Sequence, residues 1–190
     1  MEGDDIVSKH EEDGRRNAGD SPESTAANLR RFLETGGARS PFGFSAQQIA
    51  IERWARESGR WFEWPAISDG TETGGVEHFV KALPEEGRIL KITIPPAFGR
   101  TPIVTSSNTV QIREATPLEY LDRWRLHGGW FGDEVEILGA TMKHDGFPSF
   151  VISQRFIEGE PPSYSQLCGY LGAFGFLSVP GTPIFYNGMS

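Results

Sequence analysis

The segment GRILKITI, residues 87–94, constrains the fold most, because it predicts a short strand with a lysine at its centre. The segment is rich in β-forming residues and ends at Pro95-Pro96. Side chains alternate along a strand, so Lys91 shares a face with Thr93. Two interpretations follow: that face is solvated and Lys91 points to water, or the strand holds Lys91 rigidly so that it can meet a phosphate group.

Four other segments predict strands that could join this one in a sheet. The turn at residues 84–87 connects one of them to GRILKITI, so the first three strands form a meander. Asp145-Gly146 predicts a hairpin between the last two. Together with the helices described next, they predict an α+β fold with an antiparallel sheet of about five strands. The four segments are residues 61–64, 76–83, 134–140 and 150–157.

A helix is predicted to begin at Thr116 and to end near Gly128. Thr116, Pro117 and Glu119 supply an N-cap, a proline at the first helical position and an acidic residue at the third, which is a capping box. Two roles stay open for Glu119. It closes the capping box, or it pairs with Lys91; Asp122, one turn further on, is the substitute partner.

Two further helices flank this region. One covers residues 45–59 with Ser45 as its N-cap, and one follows Ser163 to residue 171. The single cysteine, Cys168, lies in this last apolar segment and is interpreted as a small buried hydrophobic residue.

The N-terminal segment is polar. Residues 1–41 carry many charged, Ser and Gly residues, so they predict a disordered tail, with at most a weak helical turn near residues 28–33. The expected domains are then this tail, a folded domain at 42–157, and a linker with one helix at 158–190.

Composition excludes several classes of protein. A net charge of −8 argues against nucleic-acid binding, which needs a basic surface. No apolar run is long enough to span a bilayer, and the N-terminus does not have the pattern of a secretory signal. The histidines are scattered, which leaves no zinc-site spacing. We therefore expect a cytoplasmic protein that binds neither nucleic acid nor membrane.

The order of the predicted elements along the chain is itself informative. A strand, a glycine-containing loop and a strand precede the strand with Lys91, and a helix with Glu119, two strands, a Pro-Pro linker and a helix follow it. This is the order of the small lobe of a protein kinase, continuing through the hinge. A mid-strand lysine can hold nucleotide phosphates, and a carboxylate on the neighbouring helix can hold the lysine.

The residues themselves resemble a known family. The segments at 74–80, 88–93, 115–123 with Phe131-Gly132-Asp133, and 151–159 resemble the Ser/Thr/Tyr kinase-like domain of polyvalent proteins. Those are large multidomain proteins of phages and other mobile elements. The resemblance covers roughly residues 44–187, and it implies a kinase-like fold, ATP binding and phosphotransfer to a protein.

The resemblance also implies which residues meet the nucleotide. Phosphates would contact Lys91, kept in place by Glu119, and the glycine loop at Gly74 and Gly75. The alternative, which the lack of further glycines in that spacing favours, is that the loop is simply a turn. The end of the last strand would meet the base through residues that include Gln154, Phe156 and Ile157.

The chain departs from the kinase pattern after the hinge. A kinase needs a catalytic Asp and metal-binding Asp and Asn residues there. In this sequence Asp145 is the last aspartate. Family members would continue past Asn187 into that segment, so we expect a truncated large lobe, no magnesium site and no catalytic residue.

Two functions from different classes are expected from these observations. The first is the ATP-binding part of a kinase of the polyvalent-protein type, without phosphotransfer activity of its own, in effect a pseudokinase. The alternative is a kinase-like interaction module that binds a protein partner instead of a nucleotide. The apolar segment near residues 167–185 would support self-association or a protein partner in either case.

Overall fold

The computed structural model describes residues 19–35, 43–73, 76–104, 110–143, 146–178 and 185–187. The chain divides into two compact units, Met1–Phe156 and Ile157–Ser190. This boundary lies one residue before the one expected from the sequence. We call them the first unit and the second unit.

A six-stranded sheet organises the first unit. Every neighbouring pair is antiparallel except the edge pair β1–β7, which is parallel. In space the order is β1-β7-β8-β4-β3-β2, so the strand with Lys91, β4, lies inside the sheet. The α+β class is confirmed. The strands are β1 (Trp61–Phe62), β2 (Glu72–Thr73), β3 (His78–Leu83), β4 (Arg88–Thr93), β7 (Val135–Met142) and β8 (Pro148–Arg155).

The meander has a different first strand from the one predicted. β1 pairs with β7 at one edge of the sheet, and β2 is the strand that pairs with β3. Pro65 explains the difference, because it begins a short helix, α3 (Trp64–Ser68), and ends β1 after two residues. The turn into β4 is a 3-10 turn closed by Gly87, whose φ of 60° suits glycine.

A separate hairpin lies between β4 and the helix that begins at Pro117 along the chain. Its strands, β5 (Arg100–Val104) and β6 (Val110–Glu114), pair antiparallel in a separate sheet.

Three helices cover one face of the sheet. They are α1 (Pro22–Thr35), α2 (Phe44–Glu57) and α4 (Pro117–Phe131). Their buried side chains form one core with the sheet, in which Ile51, Trp54, Tyr120, Phe150 and Ile152 lie. A smaller cluster around Ile67 and Ile92 occupies the other face.

The helix boundaries differ from the sequence expectations in two places. The N-cap of α2 is Gly43, and Ser45 lies inside the helix. α4 continues past Gly128 and ends at Gly132, which adopts the left-handed conformation at a φ of 70°. The capping box of α4, in contrast, is confirmed: the Thr116 side chain accepts from the Glu119 N–H, and the Glu119 side chain accepts from the Thr116 N–H.

The expectation of a disordered tail is wrong for residues 20–35. α1 buries Thr25, Ala26, Leu29 and Leu33 in the main core. Just before it, Asp20 exchanges two backbone hydrogen bonds with Ile137 of β7, at 3.0 and 2.8 Å. Residues 1–18 and 36–41 of the predicted tail lie outside the described residues.

The described residues of the second unit form one helix and one pair of antiparallel strands. α5 (Tyr164–Ala173) begins with a capping box between Ser163 and Gln166, which confirms the predicted N-cap. β9 (Phe176–Ser178) pairs antiparallel with β10 (Phe185–Asn187). α5 contains no buried residue, and Cys168 is only partly covered, so its interpretation as a buried hydrophobic residue is wrong.

Candidate functional site

Lys91 lies on the helix-covered face of the sheet. Its cross-strand partners are Val80 and Ile152, and Ile152 is part of the main core beneath the helices. The Lys91 Nζ lies 5.2 Å from the ring centre of Trp124 on α4, within the range of a cation–π contact. Lys91 is therefore partly buried and held in place, and the interpretation that it simply points to water is wrong.

The Lys91 ammonium group is hydrogen-bonded to an amide. Its Nζ donates to Gln154 Oε1 at 2.6 Å, and Gln154 Nε2 donates in turn to Asp133 Oδ2 at 2.9 Å. Burial lowers the pKa of Lys91, while the charges of Asp133 and Glu77 act in the opposite direction. We call Lys91, Gln154, Asp133, Trp124 and His127 the Lys91 cluster.

Asp133 reaches the Lys91 cluster because it directly follows Gly132, the residue that caps the end of α4. The left-handed Gly132 turns the chain out of the helix, and the Asp133 side chain is only 14% exposed. His127 Nδ1 lies 2.9 Å from Asp133 Oδ2 without the alignment of a hydrogen bond. Burial lowers the pKa of His127, and the Asp133 charge opposes that change.

A second polar pair lies beside this cluster. His78 Nε2 and the Tyr120 hydroxyl are 2.8 Å apart, and both side chains are buried. Burial, and then the nearby charge of Lys91, lower the pKa of His78 to about 4. At neutral pH His78 is thus uncharged, and it is hydrogen-bonded to Tyr120.

Glu77 and Arg123 fix the end of β3 to α4. The two Arg123 amino nitrogens lie 3.1 and 2.8 Å from the two Glu77 carboxylate oxygens. The pair requires a glycine at position 99, because a Cβ there would lie 2.6 Å from the Arg123 Nη2 and 2.7 Å from Glu77 Oε1. Burial raises the pKa of Glu77, but Arg123 and the Arg100 N–H together bring it below its usual value.

Glu119 is not the partner of Lys91. Besides closing the capping box, it forms an ion pair with Arg113 of β6. This arginine lowers the pKa of Glu119 to about 2. Asp122 is not a substitute either, because its carboxylate lies 3.5 Å from Arg30 and 3.6 Å from Arg125.

The other predicted site residues are only partly placed. Gly74 and Gly75 lie outside the described residues. The Phe156 N–H donates to the Gly87 carbonyl at 2.8 Å, and its side chain is 38% exposed. Ile157, the first residue of the second unit, is 71% exposed. Of the five predicted nucleotide-binding residues that the structure describes, Lys91 and Gln154 are thus the two that are in contact.

The described residues also limit other kinds of site. They contain no group of three or more His, Cys, Asp or Glu side chains that could hold a metal ion. None of the described helices is both long enough and apolar enough to cross a bilayer. A concavity of about 400 Å³ lies on the surface of α2, lined by Ile49 and by Glu52, Arg53, Arg56 and Glu57.

Comparisons with known proteins give no family. No family model matches the chain, and no curated protein or solved structure is significantly similar to it. The kinase resemblance therefore stays a prediction that rests on the residues quoted for it.

Sequence reasoning missed three members of the Lys91 cluster as site residues. For Asp133 a sequence signal exists: it directly follows Gly132, and a residue after a helix-ending glycine is turned away from the helix axis. It was overlooked because the helix was expected to stop at Gly128. Trp124 and His127 carry no sequence signal that separates them from ordinary residues of an amphipathic helix.

Proposed function

We propose that this chain is a kinase-like small lobe that binds an adenine nucleotide such as ATP, with Lys91 contacting the phosphates. The observation that carries the proposal is the partly buried ammonium group on an inner strand, hydrogen-bonded to a neutral amide. Of its three N–H groups, the described part of the chain accepts one, so two can bind phosphate oxygens.

The order of elements adds support. The antiparallel strands β2, β3 and β4 are adjacent, α4 follows β4 in the chain, and the hairpin β7–β8 returns so that β8 lies beside β4. This succession is similar to the predicted kinase-like order, with β2 in place of residues 61–64 as the first strand and with the β5–β6 hairpin added before α4.

Phosphotransfer is not expected from these 190 residues alone. An active protein kinase requires an ion pair between the strand lysine and the helix glutamate. Here the corresponding Glu119 is bound to Arg113 instead. Incubation with γ-labelled ATP, magnesium and general protein acceptors should give no labelled product. Turnover that is lost in Lys91→Met would refute this part of the proposal.

Nucleotide binding is tested by calorimetric titration of ATP, with and without magnesium, into the wild-type chain and Lys91→Met. Loss of a charge-assisted hydrogen bond is expected to weaken binding about tenfold or more. Lys81→Met is the matched control, because Lys81 lies on the neighbouring strand and pairs with Leu90, on the opposite face of the sheet. No binding by the wild-type chain, or equal binding by Lys91→Met, would contradict the proposal.

A second candidate function is binding of a protein partner or a second copy through the second unit. The observation in its favour is a set of exposed apolar side chains in a short segment. Their exposed fractions range from 37% to 54%, and they are Tyr164, Tyr170, Phe174 and Leu177.

Sedimentation over a concentration series tests this candidate. Self-association is expected, and Tyr170→Asp should shift the chain towards monomer. The matched substitution Leu126→Asp, on α4 of the first unit, replaces a side chain that is 49% exposed and should leave the distribution unchanged. A monomer at every concentration that binds no hydrophobic dye would rule out self-association.

A further inference from the structure

The neutral amide of Gln154 separates a cation from an anion. Lys91 Nζ lies 2.6 Å from its oxygen, and Asp133 Oδ2 lies 2.9 Å from its nitrogen. An ammonium group can only donate hydrogen bonds and an ionised carboxylate can only accept them. An amide offers one accepting and one donating end, so only one orientation of Gln154 satisfies both neighbours.

Three separate elements build this arrangement. Lys91 is on β4, Gln154 is on β8, and Asp133 follows the glycine that ends α4. Gln154 is 9% exposed and the Asp133 side chain 14%, so water has little access to the amide. The Trp124 ring lies against another side of the ammonium group. The lysine is therefore held from several directions at once.

We propose that Gln154 and Asp133 are the positioning residues of Lys91, in place of a glutamate on the helix. The part of this inference that concerns phosphate rests on the proposed nucleotide binding. Asp133 orients the amide of Gln154, and the amide orients the ammonium group of Lys91. Because the amide is neutral, no negative charge is in contact with the ammonium group. An incoming phosphate then meets a fixed cation and need not displace a carboxylate.

The test removes the negative charge at position 133 and, in a second variant, introduces one at position 154, next to Lys91. Asp133→Asn removes the charge and keeps an oxygen that can accept from Gln154. The double variant Asp133→Asn with Gln154→Glu restores the charge directly beside Lys91, and the introduced asparagine amide can donate to the introduced carboxylate. The pKa of Lys91 is measured without nucleotide by NMR titration of its side-chain signal, assigned with Lys91→Arg.

The two variants are expected to move this pKa in opposite directions. Asp133→Asn removes a charge that favours the protonated amine, so the pKa of Lys91 falls. In the double variant a carboxylate contacts the amine, so its pKa rises by about one unit, a tenfold change in proton affinity. Glu77, whose charge also raises the pKa of Lys91, is unchanged in both variants.

Gln111→Glu is the matched control, because it adds a carboxylate at an exposed position of β6 and should leave the pKa of Lys91 unchanged. A Lys91 pKa equal to the wild-type value in both Asp133 variants, in folded protein, would overturn the positioning role. A purely structural role of these residues would change thermal stability but not produce shifts of opposite sign.

Nucleotide titration supplies the second readout. The double variant should bind ATP about tenfold more weakly than the wild-type chain, because phosphate must now displace a contacting carboxylate. Unchanged affinity together with a raised Lys91 pKa would overturn the part that concerns phosphate. If the wild-type chain binds no nucleotide, the proposed function fails, while the pKa measurement still decides the positioning role.

Discussion

α1 and α5 show opposite relations between composition and burial. α1, PESTAANLRRFLET, is polar in composition, yet Thr25, Leu29 and Leu33 on one of its faces are buried in the main core. α5, YSQLCGYLGA, is apolar in composition and contains no buried residue. Mean hydropathy alone would predict that α5 is buried and that α1 is exposed.

The difference lies in spacing and in available partners. The buried residues of α1 recur every three or four positions, which places them on one stripe of a helix. That stripe contacts α2, α4 and β7, so few apolar side chains are enough. α5 instead has apolar side chains around its circumference, and its capping box stabilises the helix end without burial of a side chain.

The largest expected effect comes from truncating one leucine in each helix. Leu29 is 0% exposed, so Leu29→Ala should lower the free energy of unfolding of the first unit by about 3 kcal/mol. Leu171→Ala in α5 should leave it within about 0.5 kcal/mol. Tryptophan fluorescence during denaturant unfolding reports the first unit, because all five tryptophans lie between residues 54 and 130.

Equal losses in the two leucine variants would break the comparison. So would an unchanged midpoint in Leu29→Ala, which would mean that α1 contributes nothing to the core and that the expectation of a disordered tail was right.

A pH dependence should appear in the first unit. The pKa of His78 is about 4 in the folded chain against 6.5 for a free histidine. A lowered folded pKa gives stability that is complete above pH 6.5 and is lost as the pH falls towards 4. Between about pH 6.5 and 4.5 the first unit should lose about 2 kcal/mol. His78→Gln, which can still bond to Tyr120, should flatten this slope; an equal slope in the variant would show that His78 is not its source.

The smallest expected effect comes from the matched helix caps. The Ser21 hydroxyl accepts from the Ser24 N–H at 3.1 Å at the start of α1, and Ser163 does the same for Gln166 in α5. Ser21→Ala should destabilise the first unit by about 1 kcal/mol. Ser163→Ala should reduce helicity by circular dichroism and leave tryptophan-monitored unfolding unchanged. A shift of that transition in Ser163→Ala would show that the stability of the first unit depends on α5.

Local signals were sufficient for much of the fold. β4, the turn at Gly87, the capping box at Thr116 and the N-cap at Ser163 follow from short-range chemistry, and the structure has all of them. Sheet order does not follow from such signals. The pairing of β1 with β7 joins residues far apart in the chain, and nothing near Trp61 specifies it. The burial of α1 is missed for the same reason, because its partners lie in distant segments.

The candidate site divides in the same way. Lys91 was identified because a cation inside a strand is unusual, and Gln154 because it occurs in a segment that resembles the kinase-like family. The partner of the lysine was misjudged. Glu119 satisfies its local capping role and Arg113, while Asp133 reaches the cluster only because α4 is three to four residues longer than predicted. The additional turn at the end of α4 is what brings the carboxylate of Asp133, and not that of Glu119, close to Lys91.

Nucleotide binding at Lys91 is tested most directly by mapping amide and lysine side-chain NMR shifts while ADP is added to the labelled chain. The account predicts saturable shifts that are largest at Lys91 and Gln154 and that disappear in Lys91→Met. Shifts confined to the second unit, or none at millimolar ADP, would contradict it.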